Sequence, residues 1–140
     1  MFTHQLDKSG ALYAVSFSEF AERYFLKDFK RKYKGVRWKI TEASIFYDLM
    51  RIRNKLQYTQ QVDELKKIGD KWYFKYDFAI AKSGKSPKAA GNRCICLLDD
   101  TQKIITILAI YNKNDLPKNM GESVWVEKII NGSSTYYGSD

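Results

Sequence analysis

Residues 71–80, KWYFKYDFAI, alternate apolar and polar or mixed positions with a period of two. Successive side chains of an extended chain point to opposite faces. Trp72, Phe74, Tyr76, Phe78 and Ile80 therefore share one face, and Lys71, Tyr73, Lys75 and Asp77 the other. A helix would scatter the first set around its circumference, so this segment reads as a strand with one face that must be covered. Two more strands follow, over 93–98 (RCICLL) and 103–112 (KIITILAIYN), joined by a loop short enough for an antiparallel hairpin. Residues 104–110 are almost all apolar, as expected of a central strand partly covered on both sides. An unbroken Ile105–Ile107–Ala109–Tyr111–Lys113 register puts Tyr111 and Lys113 on one face.

The cover for the apolar face comes from upstream. Residues 11–17 form a first strand. Ser16 or Ser18 offers a cap for a helix over 19–33, with Glu19 and Glu22 in its positively polarised first turn. Phe25, Leu26, Phe29 and Tyr33 form its apolar side, and Gly35 stops it. A second helix is expected over 41–56, capped by Thr41, with Ile45, Leu49, Ile52 and Leu56 in one stripe. A short closing helix over 122–130 is apolar at Val126, Ile129 and Ile130. The expected fold is α+β: a small antiparallel curved sheet packed on two N-terminal helices, in the order β-α-α-β-β-β-α. The polar side of 71–80 would remain an open face. Without repeats or a linker, residues 1–140 read as a single domain with loose termini over 1–10 and 132–140.

Composition narrows the chemistry. With 44% hydrophobic and 15% aromatic residues the chain can offset the entropy of folding. No apolar run is long enough to cross a membrane, and 1–10 has no apolar stretch resembling a signal peptide, so the expectation is a cytoplasmic protein without a membrane partner. Cys94 and Cys96 stand with one residue between them in an apolar run, which suits buried thiols rather than a disulfide. His4 is the only histidine. A zinc site or a histidine-based nucleophilic pair is therefore not expected, nor any other metal or cofactor.

The net charge of +8 is concentrated. Residues 23–39 hold eight basic residues against Asp28, and 82–93 hold Lys82, Lys85, Lys88 and Arg93 with no acid. These two windows exceed the charge of the whole chain, which leaves the remainder acidic. Clustered cations point to an anionic partner, nucleic acid or an acidic protein, although each cluster also reads as an ordinary solvated surface. Gly84-Lys85-Ser86 is not a phosphate-binding P-loop: Ala79 stands where the first glycine is required, and Pro87 follows in place of a long helix.

From Lys75 to Leu116 the ordered motifs resemble the RelE/HigB toxins of the RelE/ParE toxin–antitoxin superfamily. A strand ends in a lysine-rich Gly-Lys-Ser loop (Lys82 to Ser86), Gly91-Asn92-Arg93 opens the next strand, and an apolar strand ends in Tyr111, Lys113, Asp115 and Leu116. The upstream strand and helix pair and the closing helix are similar in order. The resemblance implies a type II toxin that cuts messenger RNA on the ribosome without metal and is held inactive by a cognate antitoxin. It implies catalytic roles for Lys75, Lys82, Lys85, Arg93, Tyr111 and Lys113, with Arg93 gripping phosphate. Lys27, Lys30, Arg31, Lys34, Arg37 and Lys88 would bind RNA. The alternative is a binder of the same fold that cuts nothing: a gyrase-directed ParE-like toxin or a basic nucleic-acid-binding adaptor. Asp77 departs from the pattern, standing where many relatives carry a second basic residue. It could orient Lys75 or Arg93, or act as a base; Arg93 could equally be a structural partner of Asp77 or Asp99. No tyrosine or histidine occurs over 114–120.

Chemically, RNA cleavage needs a base for the 2′-hydroxyl, charge stabilisation at phosphorus and an acid for the leaving 5′-oxygen. Lysines, arginine and aromatic stacking can supply these without histidine.

Overall fold

The computed structural model describes residues 12–33, 35–52 and 61–137; beyond residue 132 the description covers the backbone alone. Five strands form one sheet in the order β1-β5-β4-β3-β2. They are β1 (Ala14–Phe17), β2 (Val62–Ile68), β3 (Lys71–Phe78), β4 (Asn92–Asp99) and β5 (Ile104–Asn112). Helix α1 spans 19–30, α2 is Val36–Met50, a single turn α3 is Pro87–Ala90, and α4 is Glu122–Tyr137. The α+β class agrees with the sequence reading, but three features differ.

The sheet is mixed rather than antiparallel. β1 lies parallel to β5, with Ala14 opposite Ile104 and Phe17 opposite Ile107. Alternation specifies which side chains share a face and carries no information on strand direction. The sheet also has a fifth strand, β2, joined to β3 through the tight Gly69–Asp70 turn, where Gly69 adopts φ +62°. β2 escaped the sequence reading because it is an edge strand, VDELKKI, with its side chains almost wholly exposed. Charge on such a strand discourages pairing with other chains and removes the apolar alternation by which a strand is recognised.

The third difference is that both faces of the sheet are covered. On one side α1 and α2 pack Leu26, Phe29, Trp38, Ile45 and Leu49 against Trp72, Phe74, Tyr76 and Phe78, the face expected from the alternation. On the other side α4 lays Val126, Ile129 and Ile130 over Tyr73, Ile95, Ala109 and Tyr111. That face is a second core and not an open one, and Asp77 within it is buried. Each fully buried aliphatic or aromatic side chain in either layer contributes about 1.5–3 kcal/mol by its removal from water.

β5 serves both layers through a bulge. Ile95 pairs with Ala109 and Cys96 with Ile107, so Leu108 is an extra residue with no opposite number. Ile105 and Ile107 consequently belong to the α1/α2 side, whereas Leu108, Ala109 and Tyr111 belong to the α4 side. The unbroken register expected through Ile105, Ile107, Ala109 and Tyr111 does not hold. Five consecutive apolar residues, Ile107 to Tyr111, give no sign of where the phase changes.

The helix boundaries shift for local reasons. Ser18 is the α1 cap, its hydroxyl accepting from the Ala21 amide at 2.9 Å. A π-turn over Glu22–Leu26 sends Phe25 toward Trp125 of α4 while Leu26 and Phe29 remain on the other side. α2 begins after Gly35, which adopts φ +65°. Thr41 is therefore inside the helix rather than its cap. Its hydroxyl donates to the Arg37 carbonyl and accepts from the Ala81 amide, both at 2.8 Å, tying α2 to the segment after β3. α4 continues to Tyr137, past the expected end at 130 and into the terminus expected to be loose. Residues 1–10, Lys34, Leu56 and the end of the chain from 138 lie outside the described residues.

Candidate functional site

Arg93 is the centre of a group assembled from four elements. It opens β4, where it stands opposite Asp77 of β3 and Tyr111 of β5. These three side chains share a face because each is one register step from its neighbour across the sheet. α4 adds Glu122 from its first turn, and Lys75, two residues before Asp77, completes the group from the same face of β3. The Arg93 Nε lies 3.2 Å from Asp77 Oδ1, and a terminal guanidinium nitrogen donates to Glu122 Oε1. The Tyr111 hydroxyl donates to Glu122 Oε2 at 2.7 Å. Lys75 Nζ is 3.9 Å from Glu122 Oε2 and 3.9 Å from Asp63 Oδ2.

Burial strengthens these interactions. The side chains of Arg93 and Asp77 are only 11% and 3% exposed. Desolvation pushes the Asp77 carboxyl above its ordinary pKa, and the opposing pull of Arg93 and Lys75 does not fully cancel it. Burial acts the same way on Glu122, but there the hydrogen bonds from Arg93 and Tyr111, with the charge of Lys75, hold the carboxyl below the usual range. Desolvation works against the Arg93 cation; Glu122 and Asp77 outweigh it and raise its pKa. Tyr111 is pushed well above the ordinary phenol range, first by burial and then by Glu122. The Arg93 Nε and Asp77 Oδ1 face each other as charges without the alignment of a hydrogen bond.

The structure thus brings together three of the six residues expected to be catalytic: Lys75, Arg93 and Tyr111. Lys82 and Lys85 lie in the exposed loop after β3, Lys82 at φ +64°, and neither has a carboxylate partner among the described residues. Lys113 follows β5 in a 3-10 turn. Its aliphatic stem runs over Gly91, where a β-carbon would sit 3.0 Å from Lys113 Cγ. Gly91 itself ends α3 in the left-handed region at φ +75°. Lys88, on α3, is near enough to lower the pKa of Asp77 by its charge.

Among the described residues, those expected to bind RNA from the first helix form no ion pair or hydrogen bond with the Arg93 group. Lys27, Lys30 and Arg31 are exposed on α1, with Arg31 3.6 Å from Asp28, and Arg37 is exposed in the first turn of α2. Lys34 lies outside the described residues.

Glu122 is the member that sequence reasoning missed. A glutamate in the first turn of a helix is ordinary dipole chemistry. Its contacts with Arg93, 29 residues earlier, leave no trace in spacing. Asp77 was visible as an anomaly, an acid in a face otherwise marked by a lysine.

Two depressions flank the group. One, of about 350 Å³, opens between α4 and the β2 edge and is lined by Leu65, Lys75, Glu122, Val126 and Ile130. The other, of about 390 Å³, lies on the far side of Tyr111 between α1 and the end of β5. The centre therefore has two cations, two carboxylates and a phenol within contact range of one another. It can move protons and grip an oxyanion, and its formal charges balance.

No family model matches the sequence, and no curated protein matches it. Among solved structures, the chain is similar to one from the archaeal RelE–RelB complex of Pyrococcus horikoshii, at 13% identity and a TM-score of 0.48, over 75% of this chain and 99% of that one.

Proposed function

We propose that this protein is a toxin of the RelE/HigB type, paired with a cognate antitoxin, that cuts messenger RNA on the ribosome with its own side chains. The observation that carries the reading is the convergence of Lys75, Arg93 and Tyr111 from three strands with the carboxylate of Glu122. Glu122, ionised at neutral pH, accepts the proton of the 2′-hydroxyl. The freed oxygen attacks the adjacent phosphorus, and Arg93 holds the equatorial oxygens in its planar fork. The 5′-oxygen leaves with a proton from Tyr111 or Lys75, giving a 2′,3′-cyclic phosphate and a 5′-hydroxyl end. Arg93 must exchange part of its bond with Glu122 for phosphate, so the carboxylate becomes available as a base when substrate arrives.

Charge balance favours a second reading. With Asp77 and Glu122 on either side of Arg93, the group has no net formal charge to attract an anion, as suits a binder of the same fold directed at gyrase or another target.

The test is translation in a purified bacterial system, with RNA ends mapped in ribosome-bound messages. Cuts with 5′-hydroxyl ends, lost in Arg93→Lys and in Lys75→Met, support the nuclease. Arg93→Lys is preferred to Arg93→Ala, which strands a buried Asp77 charge at a cost of about 3–5 kcal/mol. Intact messages with a loss of gyrase supercoiling support the second reading. Intact messages and normal gyrase activity sink both.

A further inference from the structure

We propose that the groove between α1 and the end of β5 seats an unpaired nucleobase of the RNA, next to the phosphate held at Arg93. The inference rests on the reading that this protein acts on RNA and adds the way the strand is held. The groove, about 390 Å³, falls within the usual range of ligand sites. Its walls carry Tyr24, Phe25, Phe29, Tyr111 and Trp125, an aromatic concentration unmatched by the depression beside β2, which has none. The Trp125 ring centre lies 4.5 Å from that of Tyr111 and 5.7 Å from that of Phe25. Tyr24 is 55% exposed at the mouth, its ring beside Phe20 at 5.3 Å.

The rings are tilted against one another, and each ring exposed in the slot offers its own apolar face to a base, whatever the sequence. The flanks supply the complementary charge. α1 exposes Arg23, Lys27, Lys30 and Arg31 outside the groove, suited to the phosphates on either side of a stacked base. At the rim, Lys32 is paired with Asp115, and Asp28 lies beside Arg31. A helix from a protein partner would need a continuous apolar strip here, and this rim of alternating charge interrupts one.

Tyr111 joins the two places. Its ring lines the groove while its hydroxyl bonds Glu122 in the phosphate-gripping group. A base stacked in the groove and a phosphate at Arg93 would therefore lie on opposite sides of one side chain, as neighbouring parts of one bent strand.

The experiment uses the full chain with a fluorescein-labelled oligoribonucleotide carrying a single 5-iodouridine. Affinity is read by anisotropy at low salt, and the cross-linked residue by mass spectrometry. The expected cross-link falls on Tyr24 or Trp125. Tyr24→Ala removes an exposed ring and leaves the core intact; it should weaken binding about ten-fold. Tyr24→Phe should bind as the parent does. Replacing the iodouridine by an abasic site should erase the difference between parent and Tyr24→Ala. Tight binding with cross-links only outside the groove, or with Tyr24→Ala equal to the parent, overturns the inference and leaves the RNA reading standing. Protection of the groove by a protein partner with RNA affinity unchanged by Tyr24→Ala overturns it in favour of that partner. Failure of the parent to bind RNA, free or on ribosomes, overturns both.

Discussion

Replacing Glu122 by Gln tests the electrostatic account of the centre most directly. Glutamine keeps the shape of the side chain, and its carbonyl oxygen can accept from one of Arg93 and Tyr111; the NH2 that replaces the other oxygen cannot accept, so one acceptor is lost with the charge. In the parent, that charge strengthens two hydrogen bonds and attracts Lys75 at 3.9 Å. A hydrogen bond to a charged partner is worth about 1.5–3 kcal/mol against about 1 for a neutral one, so one bond made neutral and one lost cost about 2–5 kcal/mol together. For a chain of this size that lowers Tm by about 6–15 °C. The pH dependence supplies the sign. The Glu122 carboxyl lies below its ordinary value of 4.5 in the folded chain. Its contribution is then fully present above 4.5 and disappears as pH falls through the depressed value. Asp77 is shifted the other way, but it is present in both proteins and largely cancels in the comparison. Urea unfolding of parent and Glu122→Gln should show the gap at pH 7 and its closure below pH 4.5. Equal stability at pH 7, or a gap that persists unchanged to pH 3, would refute the pairing described here.

Three other outcomes follow from the same structure. Gly91→Ala places a β-carbon against Lys113 at a left-handed φ, so it should lose about 1–3 kcal/mol in urea unfolding, and Lys113→Ala should recover only the steric part. Cys94 and Cys96 are fully buried with pKa values raised by desolvation; a thiol reagent at pH 8 should modify neither in the native protein and both in denaturant. Tyr76, buried and hydrogen-bonded to Asp48 of α2, is pushed far above the phenol range; alkaline spectrophotometric titration should show it ionising only on unfolding, and Tyr76→Phe should cost about 1–2 kcal/mol.

The parts of this fold that could be read in advance are those whose two faces differ in residue type. β3 announces its core face through Trp72, Phe74, Tyr76 and Phe78 because its other face, though also covered, keeps Lys71, Lys75 and Asp77; α2 does so through Ile45 and Leu49. Where both faces are apolar, the period dissolves. β5 is apolar at every position but Thr106 and Asn112, so neither its parallel neighbour β1 nor the slip at Leu108 leaves a mark in residue type. β2, with nearly every side chain in water, has no apolar period to detect. At the site, Arg93 and Lys75 stood out by residue type and order along the chain. Glu122 did not, because its role arises only when α4 folds back across the sheet. Clustering of cations in sequence says nothing of the acids that meet them: those that neutralise Arg93 come from β3 and from a helix 29 residues further on.

The unpaired Leu108 acts as a phase setting for the C-terminal half of β5. Were Leu108 paired as an ordinary strand residue, an unbroken zigzag from Ile107 would rotate Tyr111 to the underside, among the side chains of α1 and α2, and the phenol would part from the carboxylate of Glu122 with no substitution at either position. Deleting Leu108 has the opposite outcome: Ala109 then follows Ile107 in plain alternation, and Tyr111 keeps its place across from Arg93. A variant shortened by that one residue should therefore keep its phenol on Glu122 while the α4 layer loses one aliphatic tenant.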